Sequence, residues 1–200
     1  MFSEPENNIA QLGLREGEIV ADFGAGAGAY SIAAAKALRG TGRVYAIEVQ
    51  KDLLSRLRNT AKEERLGNIE YLWGNLEKMG GTKLRDGSCD VVIVSNVLFQ
   101  TPDKKAVINE AKRILHHGGR LLVVDWSGSF NSMGPTKSEV IDEHAARDLI
   151  DPMGFSFERA INAGNFHYGL VYRKGLYVPP NPEIAAQQSV HGTIAPLPRK

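Results

Sequence analysis

The stretch VADFGAGAGAYS, residues 20–31, decides the fold. An apolar run leads into three glycines, Gly24, Gly26 and Gly28, and these lead into alanine-rich sequence, so a strand, a tight loop and a helix follow one another directly. Glycines separated by single alanines allow positive φ and let a ligand approach the backbone closely along Gly24, Ala25 and Gly26. The N–H groups that open the following helix offer hydrogen bonds to an anionic group.

Outward from this loop, strand-like and helix-like runs alternate, the pattern of βαβ units wound into a parallel sheet. Strands are expected near residues 18–23, 43–48, 69–73, 90–95 and 120–125, and two more near 155–162 and 166–173. Helices are expected over 29–38, over 51–66 with Leu54, Leu57 and Ala61 on one face, and after Thr101-Pro102-Asp103. In that third helix Thr101 is read as the N-cap, Val107, Ala111, Ile114 and Leu115 as the buried side, and Gly118-Gly119 as the stop. Thr136 and Glu139 have capping-box spacing ahead of a helix carrying Ile141, Ala145 and Leu149. Only Ala163-Gly164-Asn165 separates the last two strands, too few residues for a parallel crossover, so they form an antiparallel hairpin. The fold class is therefore α/β: a doubly wound, Rossmann-like sheet of seven strands, five parallel and then an antiparallel hairpin. Residues 1–178 make one domain, and residues 179–200, with five of the nine prolines, form a Pro-rich tail that is extended or disordered in isolation.

Composition removes other classes. The 200 residues hold 24 basic and 23 acidic side chains, a net charge of +1, so the basic excess that usually accompanies a broad phosphate-neutralising surface is missing and a nucleic-acid partner is disfavoured. The longest apolar runs fall far short of the ~20 residues of a membrane span. The lone cysteine, Cys89, and an N-terminus without a signal-peptide pattern point to a cytoplasmic protein.

The loop spacing is GxGxG rather than the dinucleotide GxGxxG, and Asp22 precedes the first glycine by two residues. An acid there suits a ligand bearing positive charge and repels a pyrophosphate. Glu48 closes the second strand, where a carboxylate can accept both hydroxyls of a ribose. A ribose-binding acid, a tight loop and an acid beside it together describe S-adenosylmethionine.

VADFGAGAG resembles the first motif of the class I S-adenosylmethionine-dependent methyltransferases, and AIEV at residues 46–49 resembles the second. The resemblance puts Glu48 on the ribose and Val49 against the adenine. WGNLE, residues 73–77, stands in the third motif; the family usually has Asp where this chain has Asn75, whose side-chain oxygen is expected to accept the same bond from the adenine amino group, with Leu76 beside it. CDVVIVSNVLFQ, residues 89–100, resembles the fourth strand and the turn after it, which brings Ser95 and Asn96 to the cofactor. ILHHGGRLLVVDW, residues 114–126, resembles the LKPGG turn and fifth strand. The resemblance spans roughly residues 10–174 and is nearest to the ubiquinone and menaquinone C-methyltransferase-like, type 11 branch. It implies an enzyme that passes a methyl group to a small-molecule acceptor by in-line displacement.

Open parallel sheets bind at the carboxyl ends of their strands. Asp22, Glu48, Asn75, Ser95, Asn96, Asp125 and Trp126 fall at that edge; His116 and His117 fall at the other and are expected to have no chemical role. His167 and Tyr168 open the seventh strand beside the ligand edge, one of them facing in, and form the candidate catalytic pair as a general base. Packing is the competing role for that pair, and also for His144 on a helical face beside Ile141 and Ala145. Residues 126–138 are rich enough in Gly and Ser to act as a lid, and the helical stretch ending near Leu12 can close over the methionine end of the cofactor. SNVL after the fourth strand lacks the Asn/Asp-Pro-Pro-aromatic tetrad of amine methylation on adenine or glutamine, and one cysteine speaks against arsenite as acceptor. Two readings stay open beside methyl transfer: a nicotinamide-dinucleotide oxidoreductase, and a protein that binds S-adenosylmethionine without turning it over.

Overall fold

A computed structural model of the chain describes residues 4–130 and 134–175; the tail at 179–200 and part of the proposed lid lie outside the described residues. The elements run α1 (Pro5–Leu12), β1 (Ile19–Phe23), α2 (Ala29–Ala37), β2 (Arg43–Glu48), α3 (Lys51–Glu63), β3 (Ile69–Trp73), β4 (Cys89–Ser95), α4 (Lys104–Ile114), β5 (Leu115–Trp126), α5 (Glu143–Ile150), β6 (Phe155–Ile161) and β7 (His167–Lys174). The sheet order is β3-β2-β1-β4-β5-β7-β6. The first five strands are mutually parallel, and β7 is antiparallel to both β5 and β6, as so short a connection, residues 162–166, requires.

Strand alternation divides the core into two layers. Val20, Val91, Ile93, Leu122, Val124 and Val171 pack under Ile9 and Leu12 of α1, Ala34 of α2 and Leu57 of α3. The other face, with Ala21, Phe23, Val92, Val94, Leu121, Val123 and Leu170, packs against Val107 and Ile114 of α4 and Ile150 of α5. The central strands are buried on both faces and read as unbroken apolar runs for that reason.

Four local expectations are corrected. Asp103, not Thr101, caps α4: its carboxylate accepts from Ala106 N at 3.0 Å, while the Thr101 hydroxyl turns back to donate to Val97 O at 2.7 Å. A carboxylate at that place also meets the positive end of the helix dipole, which a hydroxyl does not. Helix α4 then passes straight into β5 at Leu115, and Gly118-Gly119 lie in an irregularity where pairing jumps from Cys89–Leu115 to Val91–Arg120. Thr136 and Glu139 do bond to each other, from Thr136 N and Oγ1 to Glu139 Oε2 at 2.8 Å each, but they close only a turn. Helix α5 starts afresh where Asp142 accepts from Ala145 N at 2.9 Å, leaving Ile141 ahead of the helix. His144 consequently points to solvent, with its Nδ1 3.1 Å from Asp148, and does not pack.

Two carboxylates, Glu18 partly buried and Glu110 fully buried, tie the connections to this frame. Glu18 takes both its oxygens to Arg120 Nη2 at 2.7 and 2.6 Å, and Arg120 Nη1 donates to Leu12 O at 2.6 Å, so the end of α1 is clasped to β5. Glu110 of α4 accepts from Gly80 N (2.9 Å), Thr82 N (3.2 Å), Thr82 Oγ1 (2.6 Å) and Arg113 Nε (2.8 Å). It thereby fixes the segment between β3 and β4 that carries Asn75 and Leu76. Burial alone would raise the Glu110 pKa, but the hydrogen bonds from Arg113, Thr82 and Gly80 outweigh it and lower it to about 2 from 4.5. A depressed folded-state pKa contributes stability above about 4.5 that is lost as the pH falls toward about 2. Melting temperature followed from pH 5 to pH 2 should fall in this window, and Glu110→Gln should show a lower melting temperature at neutral pH with a flatter acid limb.

Candidate active site

Between β1 and β4 the strand order reverses, and the loops leaving these two strands diverge to opposite faces, opening a cleft at their carboxyl ends. The residues that close the strands beside this cleft share one face by simple alternation. Asp22 lies on the same face as Val20, Ser95 as Ile93, Trp126 as Val124, and His167 as Val171. Trp126 and His167 stand opposite each other in the β5–β7 ladder. The neighbours one position away, Asp125 and Tyr168, belong to the other face.

The glycine loop bridges two cavities in this cleft. Gly24, Gly26 and Gly28 have φ of +67°, +56° and +97°, the left-handed region that favours glycine. Gly24 N and Ala25 N donate to Ile47 O at 2.9 and 3.0 Å, holding the loop against the end of β2. The first cavity, about 400 Å³, is lined by Glu48, Val49, Leu53, Gly74, Asn75 and Leu76 among others. The second, about 360 Å³, is lined by Pro5, Asp22, Tyr30, Ser95, Asn96, Trp126 and His167 with the loop itself. Gly24, Gly26 and Gln100 border both, so the two form one trough across the loop.

Each carboxylate is held by its surroundings. Glu48 accepts Gly26 N at 3.0 Å on one oxygen and Val49 N and Gln50 N at 2.7 and 2.9 Å on the other, so its orientation toward the first cavity is fixed by three amides. Asp22 is buried and accepts from Ser31 Oγ at 2.6 Å. Burial, offset in part by the bonds from Ser31 and reinforced by the charge of Glu48, pushes its pKa up to about 7. Asp125 lies in neither cavity lining: it accepts from Phe99 N and Trp126 N, fastening the turn after β4 to β5, and burial raises it to about 6.

Of the expected cofactor residues, Asp22, Gly24, Ala25, Gly26, Glu48, Val49, Asn75, Leu76, Ser95 and Asn96 line the trough. Gly28 does not; it works one step back, where a Cβ would sit 1.9 Å from Leu57 Cδ1. Val49 is 55% exposed at the rim, an apolar surface without a cover of its own. Asn75 needs a correction, because its Oδ1 already accepts the amide of Glu77 at 2.8 Å and has only one lone pair left for an adenine amino group. The catalytic pair separates: His167 faces the second cavity, while Tyr168 is buried on the opposite face in the layer with Tyr172. The His116-His117 pair is at the far edge, His116 Nε2 2.9 Å from Asp90, as expected. Sequence reasoning missed Gln100, which donates to Asn96 O at 2.7 Å and sits between the cavities, and Tyr30, whose hydroxyl accepts from Asn8 Nδ2 at 2.7 Å. The only signal for Gln100 was its place five residues past the end of β4.

A family described as a methyltransferase domain matches residues 14–159. The chain belongs to the class I S-adenosylmethionine-dependent methyltransferases. This methyltransferase domain is 31% identical over 119 residues to the ubiquinone/menaquinone biosynthesis C-methyltransferase of Haemophilus ducreyi, a match covering 58% of this chain and 44% of that one. It is 29% identical over 119 residues to the arsenite methyltransferase of Halobacterium salinarum, covering 60% of this chain and 30% of that one. The chain thus spans less than half of these two relatives. A crystal structure of an S-adenosylmethionine-dependent methyltransferase from Aquifex aeolicus superposes with a TM-score of 0.78 at 25% identity, covering 86% of this chain and 90% of the other. The seven-stranded methyltransferase fold and its type 11 affinity, expected from the motifs, are borne out.

The trough fits S-adenosylmethionine on an observation independent of any relative. A Cβ on Gly26 would meet no atom nearer than Gly24 O at 3.9 Å, so the space above that glycine, in the floor of the trough, is open to a ligand. Gly26→Ala should therefore fold with a loss of about 1–2 kcal/mol from the left-handed φ alone, yet bind S-adenosylhomocysteine far more weakly in calorimetry. Gly28→Ala should instead fail at the level of folding, read as a much lower melting temperature, because of the contact with Leu57.

Proposed function

We propose that this methyltransferase domain transfers the methyl group of S-adenosylmethionine to a small-molecule acceptor held in the second cavity. The observation that carries the reading is the trough itself, a carboxylate locked by three amides at one end and a buried acid with His167 at the other, joined by the glycine loop. Bound S-adenosylmethionine supplies an electrophilic methyl on a positively charged sulfur. In this reading the Glu48 carboxylate accepts the ribose hydroxyls, Val49 and Leu76 cover the adenine, and Asn75 gives its remaining lone pair to the adenine amino group. Asp22, beside the start of α2, faces the cationic methionine end. Gly24, Ala25 and Gly26 keep the backbone low enough for the cofactor to cross, and Ser95 and Asn96 close the floor beneath the reacting centre.

The chain's contribution to rate is positional: holding the acceptor in line and excluding water removes freedom that a reaction in solution would have to lose. His167, of the two residues expected to act as base, is the one placed to take a proton; Tyr168 serves packing. No helix among the described residues is long and apolar enough to cross a membrane.

Calorimetry with S-adenosylhomocysteine and with NAD(H) tests the cofactor assignment, and tight binding of the dinucleotide alone would overturn it. Glu48→Ala should weaken S-adenosylhomocysteine binding by about 1–3 kcal/mol through lost charge-assisted hydrogen bonds, with a smaller loss for Glu48→Gln. A cationic ligand lowers the pKa of a nearby acid, so affinity should rise as the pH climbs through about 7, where Asp22 ionises in the free protein. Asp22→Asn should remove that pH dependence; an unchanged slope would take Asp22 away from the cofactor.

A further inference from the structure

At the edge of the sheet opposite the trough, a cavity of about 240 Å³ opens beside the early part of β5. Pairing there is irregular: residues 116–119 of β5 stand opposite the single residue Asp90 of β4, so the longer stretch bows away from its partner. Arg15, Arg120, Arg173 and His116 line the cavity together with Glu18 and Asp90. Three guanidiniums thus arrive from three separate segments, the turn before β1, the middle of β5 and the end of β7.

The two acids do not close the cavity to an anion, because both oxygens of each already have partners. Glu18 is bonded to Arg120 and to Arg15 N at 2.9 Å; Asp90 accepts Ile19 N at 2.7 Å on one oxygen and has His116 Nε2 2.9 Å from the other. The second nitrogen of His116 lies 2.6 Å from His117 O, so both ring nitrogens face acceptors, an arrangement that an imidazolium satisfies. With that charge counted, the cations lining the cavity outnumber the carboxylates by two. Glu158, outside the lining, does not cancel this excess, since it is divided between Arg173 and Arg159.

Donor capacity is left over as well. Arg120 is 8% exposed, with Nη1 committed to Leu12 O and Gly13 O and Nη2 to Glu18, while its Nε donates to no described residue. The Arg15 side chain makes no hydrogen bond or ion pair with any described residue, although its backbone is fixed by a turn in which Glu18 N donates to Arg15 O at 3.2 Å. A buried guanidinium with an unused N–H costs stability unless something in the cavity receives it.

We propose that this cavity binds a phosphate group, either free or carried by a phosphomonoester. A tetrahedral dianion matches the excess of two positive charges and presents an oxygen to each of several donors arriving from different directions. A planar carboxylate carries half that charge and offers one edge to one fork. No residue that lines this cavity lines the trough, so the site stands apart from the cofactor.

The test follows the backbone amide resonances of the full chain by NMR while sodium phosphate, sn-glycerol 3-phosphate or sodium acetate is added at constant ionic strength. Phosphate should shift the amides of Gly118 and Gly119 to saturation, with a Kd of about 1 mM or tighter, and acetate should bind about tenfold more weakly. Arg15→Ala and Arg173→Gln should each weaken phosphate by about tenfold, the effect of losing one charge-assisted hydrogen bond. Arg56→Ala on α3 makes the same change of charge elsewhere and should leave the affinity within about twofold. The exposed Arg15 side chain has no internal bond to lose, so Arg15→Ala decides alone if Arg173→Gln does not fold. Tighter binding of glycerol phosphate than of inorganic phosphate assigns the site to a phosphomonoester, and the reverse order assigns it to free phosphate. The proposal is overturned by shifts that never saturate, by shifts at Gly24 and Gly26 without any at Gly118 and Gly119, or by equal weakening in Arg56→Ala and Arg15→Ala. Acetate that binds as tightly as phosphate overturns it too.

Discussion

The parallel pairing of β1 with β4 governs what the rest of the molecule can do. After β1 the chain turns to one face and builds α2, β2, α3 and β3 outward; to reach β4 it must return across the starting strand. Right-handed crossovers then leave α2 and α4 on opposite faces, with nothing to fill the gap between the loops that precede them. Every functional feature sits in that gap or on its rim. The ladder from Val20–Val91 to Phe23–Val94 sets the level at which both strands stop and therefore the depth of the cleft.

Local chemistry explains why so much of this was legible in the chain. Strands buried on both faces are continuous apolar runs, the glycine loop needs residues without side chains, and a connection too short for a crossover admits only a hairpin. Asp22 and Glu48 could be placed because each is the first polar residue after an apolar run, Asp22 one residue before the end of β1 and Glu48 at the end of β2. The face of a residue was harder. His167 and Tyr168 are adjacent, and only the register Trp126–His167, set by the length of β5, determines which of them looks into the cleft. A shift of one residue would have exchanged their roles.

What the chain did not disclose has a common physical origin in competition between neighbouring polar groups. Thr101 and Asp103 both can cap a helix, and so can Thr136 and Asp142; the winner depends on where the preceding turn delivers the backbone. Asn75 is similar, since the same oxygen that faces the cavity also stabilises its own turn through Glu77. Gln100 acts from a turn whose geometry is imposed by Asp125 on another strand, through a bond from Phe99 N that spans 26 residues of sequence.

Helix α1 has eight residues, a rod about 12 Å long by the usual rise. One end, Pro5, is a wall of the second cavity; the other is clasped by Arg120 and by the paired bonds of Gln11 with Asn162. The rod is therefore anchored to β5 through Arg120 and to β6 through Arg159 at one end, and to α2 through the bond from Asn8 to Tyr30 along its length. Selectivity for the acceptor can drift through changes at the remote edge of the sheet, where Arg120 and Glu18 meet, while the cofactor half of the trough stays as it is.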